Sequence, residues 1–204
     1  LLKYNIMSSS KILKKNVKES IDFLELLLEM KIPYRWWDTD NDKKIDPMYA
    51  FNSFYEIDLD KVQKNGLNCA GVINLVRLKL GLKVPGVDEK NKFAGGTSNW
   101  FRYLKKNDWL EPFDITKRYP KGTLLIRNYT NKYQQGHVAV IVSDDKDIHP
   151  WENYLIHSIP EERPKILPKG PVSFGMKKML IVQSYYFSEN QHYTHAILPK
   201  YWLI

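Results

Sequence analysis

Three residues of this chain have types and settings suited to covalent chemistry: Cys69, His137 and His157. Cys69 is the single cysteine and lies in Leu67-Asn68-Cys69-Ala70-Gly71, where helical spacing begins. In most cores a thiol is a small apolar filler. At a helix N-terminus the dipole and the unpaired N–H groups favour the thiolate, which is the nucleophile. His137 follows Gly136 and opens the apolar run Val138-Ala139-Val140-Ile141-Val142, and His157 lies in Leu155-Ile156-His157-Ser158. Two antiparallel neighbours place such histidines side by side. A helix packed on that sheet then brings Cys69 onto His137. The roles follow the logic of a nucleophile, a base and an orienting group. His137 takes the thiol proton, and His157 fixes its tautomer. The thiolate attacks an amide or ester carbonyl, with the Cys69 backbone N–H at the developing oxyanion.

The elements that must position these groups are readable from periodicity. From Asn16 to Met30, Val17, Ile21, Leu24, Leu27 and Leu28 recur at helical spacing, and Pro33 ends the run. Residues 32–60 are aromatic and acidic without clear period, as in an ordered loop with short helices. Cys69 to Leu80 reads as a second helix, N-capped by Asn68 and stopped by Gly81. A third is expected from about Ser98 to Lys106. Strands are expected at 123–127, 137–142, 153–158, 180–187 and 193–198, with a surface loop from Pro160 to Pro171. Helices followed by antiparallel strands make an α+β fold. Residues 1–15 read as an N-terminal extension and 16–204 as one catalytic domain. Met7 is a candidate start.

These segments resemble the NlpC-type cell-wall peptidases, which have a papain-like fold. Asn68-Cys69-Ala70-Gly71-Val72 is similar to their Asp-Cys-Ser-Gly-Phe/Val motif. Lys121-Gly122-Thr123-Leu124-Leu125 resembles their Gly-Asp-Leu-Val-Phe strand, Gly136 to Val140 their His-Val-Gly-Ile-Tyr strand, and Leu155 to Ser158 their Ile-Ile-His-Ala strand. Ile32-Pro33-Tyr34-Arg35-Trp36 resembles their Pro-Tyr-X-Trp segment. The resemblance covers roughly residues 30 to 160. It implies a thiol hydrolase with Cys69 as nucleophile, His137 as base, His157 as orienting residue, and Tyr34, Asn68 and Ala70 beside the substrate. In related amidases the third residue could be Asn153 instead. The flanking Asp and Ser of the family are Asn68 and Ala70 here. Recognition of a free amine thereby loses its carboxylate, worth about 1.5–3 kcal/mol in a buried site. A thioesterase or acyltransferase on lipid esters, and an inactive binding module of the same fold, remain open at this point.

Composition narrows the other classes. The 204 residues suit one domain with a core sufficient without staples. One cysteine excludes an internal disulfide framework. The net charge of +8 is spread along the chain rather than gathered in a basic arm, so no nucleic-acid partner is expected, and attraction to anionic partners is. No apolar run reaches membrane-spanning length, and no secretory signal is visible. This leans towards a cytoplasmic protein without fixing the compartment. No cofactor or metal is expected. The histidine and cysteine spacings match no zinc motif. Asp38 to Tyr49 alternates carboxylates as a calcium loop does, but has Lys43 for the glycine and Tyr49 for the bidentate glutamate, and reads as a solvated turn. Trp36, Trp37, Tyr49, Phe51, Phe54 and Tyr55 form an aromatic group before Cys69, as core or cleft wall. Gly95-Gly96-Thr97-Ser98 reads as a helix start.

Overall fold

A computed structural model describes residues 9–35, 57–85, 95–128, 130, 136–160, 171–186 and 192–204. Among these residues the chain is α+β, with an antiparallel sheet of seven strands and helices packed on it. The sheet order is β1-β6-β5-β4-β3-β7-β2. The strands are β1 (Pro33–Arg35), β2 (Glu111–Pro112), β3 (Leu124–Arg127), β4 (His137–Ile141), β5 (Tyr154–Ser158), β6 (Pro171–Leu180) and β7 (His195–Ile197). The helices are α1 (Ser9–Glu29), α2 (Leu59–Asn65), α3 (Cys69–Lys79), α4 (Thr97–Lys106), α5 (Ile181–Tyr186) and α6 (Pro199–Trp202). None of the described helices is long and apolar enough to cross a membrane.

Alternation along the strands divides the core into two clusters. Leu124, Ile126, Val138, Val140 and Ile156 face the helices, where they meet Leu24, Leu27, Val72, Ile73, Val76 and Trp100. Leu125, Ala139, Ile141 and Leu155 face the other way, onto Tyr119, Ile181, Tyr193 and Ala196. Helix α3 belongs to the first cluster and is buried from Cys69 to Arg77. Asn68 caps it by accepting from the Gly71 N–H at 2.8 Å. Two buried polar side chains tie α3 to its surroundings. Asn74 donates to the Gly95 carbonyl at 2.9 Å and accepts from Trp100 Nε1 at 2.7 Å. Arg77 donates to the Lys83 carbonyl at 2.8 Å and to the Trp202 carbonyl, which brings α6 against it.

Several expectations are corrected. The first helix, expected from Asn16, starts at Ser9, and Leu13 already packs against the core. The run expected as a strand over 180–187 is helical from Ile181, and the strand lies earlier, over Pro171–Leu180. The reason is the length of its neighbour. Leu180 pairs with Tyr154, the first residue of β5, so the chain beyond has no strand to pair with. There the Ile181 N–H donates to the Asn153 carbonyl at 2.8 Å and Gln183 Oε1 accepts from the Leu180 N–H at 3.2 Å, which starts the turn. The acidic turn at 38–49, the aromatic group from Trp36 to Tyr55 and most of the 160–171 loop lie outside the described residues.

Strand β1 is short and rests on β6 through a close approach at Gly175. A Cβ there would sit 1.9 Å from the Ile32 carbonyl oxygen. We expect Gly175→Ala to force β1 off its partner and cost roughly 1–3 kcal/mol or more by overpacking. Chemical denaturation checks this, and a midpoint equal to that of the wild type would refute it.

Candidate active site

The approach to Cys69 is fixed by the backbone around Leu67. Its N–H donates to the Pro33 carbonyl at 3.0 Å and its carbonyl accepts from the Arg35 N–H at 3.1 Å. This makes a parallel bridge between Leu67 and Tyr34. The same carbonyl accepts from Ser158 Oγ at 2.9 Å. Residues two before the thiol and one after His157 are therefore joined directly. Tyr34 is 2% exposed, and burial, then the nearby Cys69, disfavours its ionisation. Asn68 and Ala70 are buried on either side of the thiol.

The histidines come together as their strands imply. Pairing of Val140 with Ile156 and of Ile141 with Leu155 sets His157 one pleat along from His137. His137 Nε2 lies 3.0 Å from His157 Nδ1. His157 Nε2 lies 3.3 Å from Met179 Sδ, and Tyr193 Oη lies 3.3 Å from His157 Nδ1 and 2.9 Å from Ser184 Oγ. A thioether offers no proton, so a proton on His157 Nε2 satisfies that contact, and Nδ1 then accepts from His137 Nε2–H. In that tautomer His137 keeps its lone pair on Nδ1, as a general base requires.

The thiol and this pair lie on opposite faces of the sheet. Cys69 belongs to the helix-side cluster with Val138, whereas His137 leans on Tyr193 of the opposite cluster, with ring centroids 5.9 Å apart. Backbone N–H groups of Val138, Ala70 and Cys69 surround the sulfur and favour its thiolate. No hydrogen bond joins Cys69 to His137 among the described residues; their link is the peptide they share, between His137 and Val138. The helix-start argument for a resting thiolate is overturned. Burial pushes the Cys69 thiol up to about 11, against the pull of the amides and of Arg127. Burial, then the Arg127 charge, lowers His157 to about 3 and holds His137 well below the usual imidazole range. The resting cluster is neutral throughout.

Asn153 is engaged away from the histidine pair. Its Oδ1 accepts from Ser143 Oγ at 3.0 Å and from the Asp145 N–H at 2.7 Å, so it builds the β4–β5 connection. His149 stacks on Trp151, and His195 lies edge-on to Phe101, away from the pair. No cluster of three or more metal-ligating side chains occurs among the described residues. Three neighbours were not singled out from the sequence: Arg127, Met179 and Tyr193. Arg127 carried a signal, being a charge that closes an apolar strand at the parity of Leu125. Met179 and Tyr193 carried none. Comparison with family models, with curated proteins and with solved structures found no match to this chain.

The buried neutral histidine has a consequence for stability. In the unfolded chain an imidazole titrates near ~6.5. The contribution of His157 is therefore complete above that pH and is lost as pH falls from ~6.5 towards 3, by about 1.4 kcal/mol per pH unit. We expect the melting temperature to fall on acidification from pH 7 to 4, more steeply than in His157→Gln. Equal slopes in the two proteins would show that His157 is not buried neutral.

Proposed function

We propose that this protein is a thiol hydrolase of papain-like fold that cleaves an amide bond, most simply in a peptide or a peptidoglycan-type chain. The observation that carries the reading is the His137–His157 contact at 3.0 Å, on the strand whose first peptide meets the Cys69 sulfur. The resemblance of residues 30 to 160 to the NlpC-type peptidases supports the same roles.

The neutral resting state dictates how the reaction runs. Proton transfer from Cys69 to His137 Nδ1 accompanies attack, as the S–C bond forms and the carbonyl becomes an oxyanion. The N–H groups crowded at the sulfur are the candidate donors to that oxyanion. Collapse breaks the C–N bond, and His137 returns the proton to the leaving amine. Water, deprotonated by His137, then attacks the acyl-enzyme, and release of the carboxylic acid restores the thiol. His157 holds the ring of His137 and its tautomer throughout. A thioesterase or acyltransferase would use the same pair, with an alcohol or thiol leaving in place of the amine.

Assays with muropeptides, ordinary peptides and acyl esters separate these readings. Amide turnover is expected, abolished in Cys69→Ala and reduced about 10²- to 10⁴-fold in His137→Ala. Turnover of esters alone would replace the peptidase reading with the esterase one. Hydrolysis that survives His137→Ala unchanged would remove His137 from the chemistry.

A further inference from the structure

The junction of β6 and α5 serves both ring nitrogens of His157. On one side of it, Met179 brings its Sδ to 3.3 Å from Nε2. On the other, Ser184 Oγ lies 2.9 Å from Tyr193 Oη, and that oxygen lies 3.3 Å from Nδ1. Tyr193 comes from a third segment, just ahead of β7. It is anchored through Thr194, whose N–H donates to the Ile126 carbonyl at 3.1 Å and whose carbonyl accepts from the Phe113 N–H at 3.0 Å. Tyr193 is 4% exposed, with its ring edge-on to Phe113 and tilted 30° against that of His137. Burial holds its hydroxyl well above the usual phenol range, so it keeps a proton to donate at neutral pH.

Proton counting gives that hydroxyl a direction. Four contacts link the group: His137 Nε2 to His157 Nδ1, Tyr193 Oη to the same Nδ1, Ser184 Oγ to Tyr193 Oη, and His157 Nε2 to Met179 Sδ. With His157 protonated on Nε2, each contact has its own proton. His137 Nε2–H and the Tyr193 hydroxyl donate to Nδ1, Ser184 donates to Tyr193, and Nε2–H faces the thioether. With His157 protonated on Nδ1, one proton must serve both His137 and Tyr193. The Tyr193 hydroxyl then turns to Ser184, and Nε2 faces Met179 with no proton between them. The contact from Tyr193 to Nδ1 is whole in the first tautomer and shared in the second, so it favours the first. The choice reaches His137. In the first tautomer its proton is on Nε2 and Nδ1 is bare; in the second the proton is on Nδ1 and the base is blocked.

Resting on the thiol-hydrolase reading, we propose that Tyr193 is a positioning residue whose hydroxyl, donating to His157 Nδ1 and accepting from Ser184, holds His157 in the tautomer that leaves His137 Nδ1 unprotonated.

Nitrogen NMR of the labelled imidazole rings reads the tautomer directly and needs no substrate. Near neutral pH, His157 in the wild type is expected to carry its proton on Nε2. Tyr193→Phe keeps the ring against Phe113 and His137 and removes only the hydroxyl. In it the ratio of Nε2- to Nδ1-protonated His157 is expected to fall about fivefold, the weight of one neutral hydrogen bond. With an amide or ester that the protein turns over, kcat should fall in proportion to the fraction of His157 still protonated on Nε2, with KM unchanged. A loss of packing alone would move neither the tautomer ratio nor its match to kcat. An unchanged ratio in Tyr193→Phe overturns the proposal, as does a kcat that fails to follow the measured fraction. If Tyr193→Phe does not melt cooperatively, the wild-type spectrum decides. A Tyr193 hydroxyl proton coupled to His157 Nδ1 sustains the proposal, and its absence from a spectrum that shows the His137 Nε2 proton overturns it. Loss of the hydrolase reading looks different. A hydroxyl-dependent tautomer in a protein that hydrolyses none of the amides or esters leaves the hold of Tyr193 on His157 standing and removes the hydrolase.

Discussion

The carbonyl of Leu67 is where the candidate site is tied together. It accepts from Arg35 of β1 and from Ser158 of β5, so one oxygen aligns three segments far apart in sequence. The residue before it, Gly66, has φ +86, and a Cβ there would lie 2.8 Å from the Pro33 carbonyl. Only glycine allows that approach. Two residues after Leu67 the chain becomes α3 and presents the thiol; one residue before Ser158 stands the second histidine. Slippage at this oxygen would move Cys69 and His157 apart, whatever the quality of the core behind them.

That core explains how such a narrow tie can hold. The sheet-facing side of α3 is apolar along its length, and its polar residues are committed to fixed partners: Asn68 to its own helix, Asn74 to Gly95 and Trp100, Arg77 to the chain near Trp202. Each of these bonds would leave a buried donor or acceptor unmatched if the helix rotated. Rotation about the helix axis is the motion that would swing Cys69 away from Val138, and it is the motion these contacts oppose.

Much of this was legible in the sequence, and the limits were physical. The start of α3 was visible because an Asn cap and a run of apolar residues are local signals. Strands β3, β4 and β5 were visible because each has a face to bury, and the meeting of His137 with His157 follows from strand adjacency. The end of β6 was not, since Ile181 and Val182 have every local preference for a strand and are denied one by the length of β5, a fact of topology. The engagement of Asn153 in the β4–β5 connection was not legible either, because it depends on a turn rather than on a strand. The ionisation of Cys69 was not legible for a related reason. A helix start is local, whereas desolvation depends on everything packed around the sulfur, and here it is the larger effect.

The hydrogen-bonded line from His137 through His157 ends on Met179, a thioether. Hydrolases with a carboxylate at that place can store a separated positive charge on the base, because a permanent negative partner waits behind it. This line ends in a soft, uncharged atom, and Arg127 stands on its other side. On the proposed hydrolase reading, no carboxylate among the described residues acts on either ring to hold an isolated imidazolium. Positive charge on the base and negative charge on sulfur or oxyanion must appear together and vanish together, as the two ends of one transient dipole.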